Sequence, residues 1–512
     1  MMDLKNKKIL AISSGEHVNV MMNLYKYCRK YLNSEVYAFT ISKDTQYFRE
    51  LLTKDEQYII LPDLSIKQRW EDNSLEVQAV KDLMQKCEYK SGVPINRLIL
   101  MNERNIGRAY SKYKYYWPER SICKRVLKNP DIADQVLIRG FKFAHDIINQ
   151  VKPDVVLGGL IGSIYNSVVY LVSKYMEIPC ISCLESSFLP DRHTWVSNWG
   201  SYPEKMEKVY QQKINNHEQP SQESLERIAS FRKRPKILPV YEKMWKRKYY
   251  GSSLLSVNKY ILKRIKYRLV PVIKRVPLSS PKPFWSAVID AYRTYVNGKF
   301  HRRSCKIYQP DQLKDCKYIY FPMHMEPEYV LNTRGTSWFD QLNLIRLISY
   351  NLPMGYRLLV KEHRSNFGRR PAAYLKQLKS FPGVEIVNPF DDQFKYINFS
   401  SLVITINGTS GFEALMLKKP VITLSKTHYD CVSLAKKIKN LDDFGKTILE
   451  SVYQHSVDSD YDKRLGLLLD ADYATSIEHG DNPEKDVEFI KDRILNFFPC
   501  LSVKKKRRVN HV

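Results

Sequence analysis

Long apolar runs are what this sequence most clearly lacks. The nearest approach to a membrane span, residues 154–176, is broken by Gly158, Gly159, Gly162 and Asn166 and reads instead as strand, turn and helix. The amino terminus, Met-Met-Asp-Leu-Lys-Asn-Lys-Lys, has no apolar core of the secretory kind. A chain that stays in the cytoplasm is therefore expected. Cysteine supplies no framework: nine are scattered along the chain, an odd number that suits reduced thiols. Cys180 and Cys183 form a lone Cys-x-x-Cys with no second pair and no histidine nearby, so neither zinc nor redox chemistry is expected there. Asp458-Ser-Asp460 has the look of a metal-binding pair but lies in a polar stretch away from any strand end. No metal is expected.

Acidic residues are scarce in one place. Residues 231–310 hold 21 Lys and Arg against only Glu242 and Asp290, within a chain whose net charge is +28. The tail adds Lys504, Lys505, Lys506, Arg507 and Arg508. Charge focused in this way implies a polyanionic partner: nucleic acid, an anionic membrane surface or an acidic glycan. With no zinc-finger spacing, RRM signature or KH loop, nucleic acid is the least expected of the three.

What is present is a globular chain, 44% apolar and 12% aromatic, and its 512 residues are enough for two or three domains. Strand-like and helix-like runs alternate twice. In the first stretch, strands are expected at Lys8–Ser13, Glu35–Thr40, Gln57–Leu61, Asp154–Leu157 and Pro179–Leu184, with helices at Val18–Tyr31, Ala133–Val151 and Ile164–Met176. In the second, strands are expected at Tyr318–Phe321, Tyr356–Lys361, Val384–Val387, Leu402–Ile406 and Val421–Leu424. Helices are expected at Trp338–Tyr350, Ala372–Ser380, Ser410–Leu417, around Leu434–Ile438 and at Glu484–Phe498. Such β-α-β alternation predicts parallel sheets covered by helices on both faces. The expected organisation is a Rossmann-like domain over 1–215, a basic helical linker or insert between the domains over 216–312, a second Rossmann-like domain over 313–498 and a basic tail over 499–512. Two such domains facing a cleft are the GT-B-like arrangement. Within the basic segment, Val257, Ile261, Ile265, Leu269, Val272 and Val276 share one helical arc, with Lys259, Lys263, Lys266 and Lys274 largely opposite. That pattern suits either a helix lying on anionic lipid or one packed between domains.

Three polar clusters follow strand-like runs in the second domain: Phe-Pro-Met-His-Met-Glu-Pro-Glu (321–328), Val-Lys-Glu-His (360–363) and Asn-Gly-Thr-Ser-Gly-Phe-Glu-Ala-Leu (407–415). Loops beyond the strand ends of a parallel sheet converge on one crevice, where ligands bind. Gly408 and Gly411 permit close backbone approach, and Thr409 or Ser410 is placed to cap the next helix, whose first amides favour a phosphate. Glu413 is expected in the first turn, within reach of ribose hydroxyls. Lys361 and His363, if the strand persists, share one face and can neutralise a departing phosphate. His324 and Glu326 stand in a loop stiffened by Pro322 and Pro327. A nucleotide-sugar is the leading ligand, taken as a substrate, with no cofactor expected.

Taken together, FPMHMEPE, the pairs DQ (340–341) and LP (352–353), LLVKEH, NGTSGFEALMLKKPVITL and the Tyr429 that follows resemble the bacterial capsule polysaccharide biosynthesis family, relatives of the capsule β-Kdo glycosyltransferases. The likeness covers roughly 317–430 and is weaker at Ile9–Tyr25 and Lys152–Trp199. It implies a GT-B fold, a sugar-nucleotide donor, no metal requirement, and work at the inner face of the cytoplasmic membrane on a glycan or glycolipid acceptor. It also implies that His363 binds the donor nucleotide and that Ser410 and Glu413 lie in the donor-binding turn. The family's histidine is usually followed by proline, whereas Arg364 stands here.

The first domain is expected to supply the acceptor side and a general base. Glu185 closes the run Pro179–Leu184 and is the first candidate, with Asp191 and Glu16 behind it. Two other readings remain open: transfer of another activated unit, such as a polyol phosphate, in the same cleft, and a non-catalytic basic scaffold.

Overall fold

The computed structural model describes residues 4–12, 18–40, 58–60, 75–98, 131–158, 161–162, 164–186, 188–189, 192–200, 202–236, 254–274, 284–326, 328–479 and 482–497. The strands in chain order are β1 (Lys8–Ile12), β2 (Glu35–Thr40), β3 (Tyr58–Ile60), β4 (Val155–Gly158), β5 (Cys180–Glu185) and β6 (Arg192–Val196). They continue with β7 (Tyr318–Pro322), β8 (Arg357–Lys361), β9 (Val384–Val387), β10 (Leu402–Thr405), β11 (Val421–Thr423), β12 (Ala435–Lys437) and β13 (Ile477–Glu478). The described residues within 1–102, 129–206 and 472–512 form one compact unit, and those within 207–471 belong to the other.

The first unit is built on a sheet in the order β13-β6-β5-β4-β1-β2-β3. From β3 to β5 all neighbours are parallel; β6 and β13 add an antiparallel edge. Strands such as Lys-Ile-Leu-Ala-Ile and Val-Val-Leu-Gly are almost continuously apolar because helices bury both faces of a parallel sheet.

The second unit holds six strands, all parallel, in the order β12-β11-β10-β7-β8-β9. The chain runs outward from β7 to β9, returns to the other side of β7, and runs outward again from β10 to β12. The order therefore reverses between β7 and β10, the Rossmann pattern. Along β7, Ile319 and Phe321 join a core with Ile345 and Leu375. Tyr318 and Tyr320 face the other side, where Tyr318 Oη donates to Tyr396 O at 2.7 Å and Tyr320 stacks on the Tyr396 ring. The two-domain α/β expectation holds: each unit is built on a Rossmann-like, largely parallel sheet.

Three expectations need correction. First, residues 434–438 are not helical; β12 pairs in parallel with β11. Leu434 and Ile438, both buried, lie four apart, a spacing that shares a face in a strand as well as in a helix. Second, helix Pro483–Phe497 does not close the second domain. It returns to the first unit, where Val487, Ile490 and Ile494 pack with Ile9, Leu157 and Trp195. Asp486 fixes it there by accepting from His193 Nε2 at 2.7 Å and Trp195 Nε1 at 2.8 Å. Third, the basic segment is largely part of the second unit rather than a linker. In helix Phe284–Ser304, the Thr294 carbonyl lies so close to Gly368 that a Cβ there would collide with it. Gly368 has φ +74, a conformation that only glycine adopts readily.

In helix Leu254–Lys274 the expected arc is only partly buried. Along the arc Val257 is fully covered, Ile261 is half-buried and Ile265 is exposed; off the arc, Leu255 is 73% exposed and Leu262 64%, with Lys259 and Lys263 also exposed. Among the described residues no helix is long and apolar enough to cross a membrane.

Candidate functional site

Pairing between β7 and β10 covers only Leu402 with Ile319 and Val403 with Tyr320, whereas β7 and β8 pair along five residues. Beyond Tyr320 and Val403 the two strands are no longer paired. His324, two residues past β7, bridges there to the end of β10: its Nε2 accepts from Asn407 N at 3.4 Å and lies 3.5 Å from Thr405 Oγ1. Its Nδ1 lies 3.2 Å from Glu328 Oε2, so that nitrogen carries the hydrogen. Gln341 holds the His324 backbone from both sides, accepting from its N–H at 2.7 Å and donating to its carbonyl at 3.1 Å. The same Gln341 amide donates to Glu326.

Glu326 is buried and belongs to a charged triad. Arg370, completely buried, pairs through Nε with Glu362 and through Nη1 with Glu326 at 3.4 Å, and its guanidinium lies 4.5 Å from the centre of the Tyr374 ring. Burial pushes the Glu362 carboxyl well above the usual range, and the Glu326 charge adds to it. Glu326 and Glu362 are thus braces of the site rather than groups open to a ligand.

Lys361 and His363 do not continue one strand face. β8 ends at Lys361, and His363 begins a short 3₁₀ turn, Arg364–Asn366, by accepting from Ser365 N at 3.2 Å. Lys361 is buried, and its Nζ donates to Pro389 O at 3.0 Å, the carbonyl that Arg364 Nε also reaches at 3.1 Å. Burial first, and the Arg364 charge second, lower the Lys361 pKa to about 7, against the pull of Asp391, Asp392 and Glu413. Burial also lowers His363 to about 4, so its imidazole is neutral near pH 7 and acts as a hydrogen-bonding group, not as a second cation.

The third cluster opens helix Thr409–Met416. Gly408 is the cap residue, and neither Thr409 nor Ser410 caps with its side chain, contrary to expectation; they are the first two helical residues. Gly408 N donates to Thr405 Oγ1 at 3.0 Å and Gly411 N to Gly408 O at 3.1 Å. The amides of Thr409 and Ser410 are left as donors at the positive end of the helix, on half-exposed residues. Tyr429 Oη, coming from beyond β11, donates to Gly408 O at 2.5 Å and fixes the turn. Glu413 is one turn further in than expected. It is buried, accepts from Gln393 Nε2 at 2.6 Å, and is pushed up to about 8 by burial and then by Asp392. A carboxyl so placed is largely protonated at neutral pH.

The structure therefore gathers His324, Lys361, His363, Thr409, Ser410 and Gly411 at the carboxyl ends of β7, β8 and β10. Sequence reading gave no role to Gln341, Arg370 or Tyr429, which hold these groups in place; Gln341 and Tyr429 belong to the run that carries the family resemblance, whereas Arg370 stands in a basic stretch with no motif of its own. In the first unit, Glu185 ends β5, partly buried, across the antiparallel pair from His193. Glu16 and Asp191 lie outside the described residues. Among the described residues, no three or more His, Cys, Asp or Glu side chains are grouped so as to hold a metal.

Residues 235–448 match the model of a family described as capsule polysaccharide biosynthesis protein, which bears out the resemblance read from the motifs over that span. No curated protein matches the chain. Among solved structures, the chain is similar to Thermosulfurimonas dismutans KpsC, a beta Kdo 2,7 transferase, at 12% identity over 69% of this chain and 89% of that one, with a TM-score of 0.29. It is similar to S. aureus MnaA in a co-structure with UDP, at 15% identity over 96% and 97% of the two chains, with a TM-score of 0.28. The glycotransferase of kitacinnamycin is similar at 9% identity over 95% and 99%, with a TM-score of 0.28. Likeness at this level assigns no residue a role. The family match spans all three polar clusters of the second unit.

Proposed function

We propose that this chain is a glycosyltransferase that moves a sugar from a nucleotide-sugar donor to a surface polysaccharide or glycolipid acceptor. One observation carries the reading. At the point where the strand order of the second sheet reverses, the unpaired ends of β7 and β10 frame a glycine turn and a helix start with two free amides. This is the ligand position of an open α/β sheet, and its donors suit a phosphate. The match to capsule polysaccharide biosynthesis proteins over 235–448 supports the same reading.

In this scheme the donor phosphate lies on the Thr409 and Ser410 amides, with Lys361 as the nearby titratable cation and His363 as a neutral donor. Bond cleavage at the anomeric carbon sends the electron pair to the phosphate oxygen, where fixed dipoles and the lysine stabilise the charge without a metal. The acceptor hydroxyl attacks that carbon and gives its proton to a carboxylate of the first unit, for which Glu185 is the described candidate.

Melting the protein with CMP, CDP, UDP and GDP tests the donor half of the scheme. One nucleotide should raise the melting temperature, because a ligand of the native state stabilises it. In His363→Ala the shift should shrink. Affinity should be highest below pH 7 and weaken by up to about tenfold per unit above it, as Lys361 loses the proton that attracts the phosphate. A folded protein that responds to none of the four would overturn the reading.

We further propose that the protein works at an anionic membrane surface, through helix Leu254–Lys274. Leu255, Leu262 and Ile265 are exposed beside Lys259 and Lys263, within the segment that carries 21 basic and two acidic residues. Apolar side chains among lysines suit the interface of an anionic bilayer. The chain should sediment with phosphatidylglycerol vesicles at low salt and be released at high salt. The double variant Leu255→Glu, Leu262→Glu should stay in the supernatant; equal sedimentation of the two proteins would sink the assignment.

A further inference from the structure

Arg334 closes the short helix Tyr329–Thr333 in the connection between β7 and β8. Its backbone is ordinary, with N–H bonded to Val330 O at 3.0 Å. Its side chain is not. Nε and Nη1 are buried with no hydrogen-bond partner, and among the described residues no carboxylate pairs with the guanidinium. The residue is half-buried, but two guanidinium donors buried without an acceptor are costly. A cation of this kind calls for an anion that the folded chain does not itself supply.

The surroundings show where that anion would lie. The Arg334 charge is the second cause, after burial, that lowers the His428 imidazole to about 3, and it acts on Tyr429 as well. Arg334 therefore stands beside the residues that follow β11, one of which, Tyr429, holds Gly408 O. The loop carrying Arg334 is fixed against the end of β10. A Cβ at Gly335 would come within 2.8 Å of Ile406 Cγ2, and Trp338 Nε1 donates to Leu424 O at 2.8 Å. A guanidinium carried on a fixed loop, an uncharged histidine and the tyrosine that fixes the glycine turn thus lie on the β11 side of the strand reversal, whereas Lys361 lies on its β8 side.

We propose that Arg334 binds a phosphoryl group of the nucleotide donor, its planar fork supplying the charge that the Thr409 and Ser410 amides lack. The proposal rests on the transferase reading of the same site and adds to it the residue that pairs with the phosphate.

The test uses the full chain, Arg334→Met and Arg334→Lys, with inorganic pyrophosphate and with whichever nucleotide stabilises the wild type. Without ligand, Arg334→Met should melt at or above the wild-type temperature, because it removes two buried donors that nothing in the chain satisfies. Its affinity for both pyrophosphate and nucleotide should fall about tenfold or more, with Arg334→Lys in between. A purely structural arginine would give the reverse: a lower melting temperature and unchanged affinity. If the wild type binds the nucleotide and Arg334→Met binds it equally well, the Arg334 assignment fails and the transferase reading stands. If only pyrophosphate is affected, the anion at Arg334 is not the donor's, and the assignment fails as well. A wild type that binds neither ligand removes the transferase reading along with this one.

Discussion

Arg370→Met is expected to lower the stability of the second unit by roughly 3–5 kcal/mol, the usual cost of removing one partner from a buried ion pair. Arg370 is fully buried between Glu362 and Glu326, and without it two carboxylates share a dry site with no ion-pair partner, the Lys361 charge acting only weakly on Glu362. The loss should depend on pH in a defined direction. Burial and the Glu326 charge already hold the Glu362 carboxyl above its unfolded value, and the guanidinium opposes them only while it is present. A carboxyl whose folded pKa is raised binds more protons folded than unfolded, so its favourable contribution is complete at low pH and is lost as pH rises through the folded value. The variant should therefore lie closest to wild type near pH 4.5 and furthest from it near pH 8. Glu362→Gln on top of Arg370→Met should recover part of the loss at pH 8. Urea midpoints at the two pH values decide it; an identical deficit at both would show that lost packing, not orphaned charge, is the cause. The effect should reach the site too, since Glu326 shares Gln341 with the His324 backbone.

This brace marks the limit of what the sequence reveals. The strands were legible because parallel strands buried on both faces are short apolar runs, and Val384–Val387 and Glu35–Thr40 fall where their residues predict. The polar clusters after β7, β8 and β10 were legible for a related reason: a parallel sheet exposes only the loops beyond its strand ends. The role of each residue was not, because it depends on tertiary partners. Nothing local says that Glu326 and Glu362 are consumed by an arginine eight residues past Glu362, or that Glu413 faces Gln393 rather than a ligand. The return of helix Pro483–Phe497 to the first unit was equally hidden, since its apolar face has the same period whichever sheet it covers.

Gly411→Ala should abolish nucleotide binding and turnover, at about 100-fold or more, while leaving the chain folded. Gly411 is the third residue of helix Thr409–Met416, and its backbone suits alanine; the obstacle is space. A Cβ would strike Tyr429 Oη and stand 2.9 Å from Thr405 Cγ2. Neither neighbour is the loose end of a flexible chain. Tyr429 is buried and donates to Gly408 O, while Thr405 accepts from Gly408 N and faces His324. Both bonds that shape the Gly408 turn would have to give, and with them the aim of the Thr409 and Ser410 amides. Overpacking of this kind costs about 1–3 kcal/mol in stability, but misplacing a binding group by about 1 Å can cost 100-fold in rate. Tyr429→Phe in the Gly411→Ala background should relieve the collision and recover stability without restoring binding, because the hydroxyl that holds Gly408 O is gone. Gly140→Ala, where the nearest atom to a new Cβ is Val168 Cγ1 at 3.4 Å, should change neither property appreciably. Wild-type affinity and turnover in Gly411→Ala would mean that this turn does not hold the donor, whatever else the crevice binds.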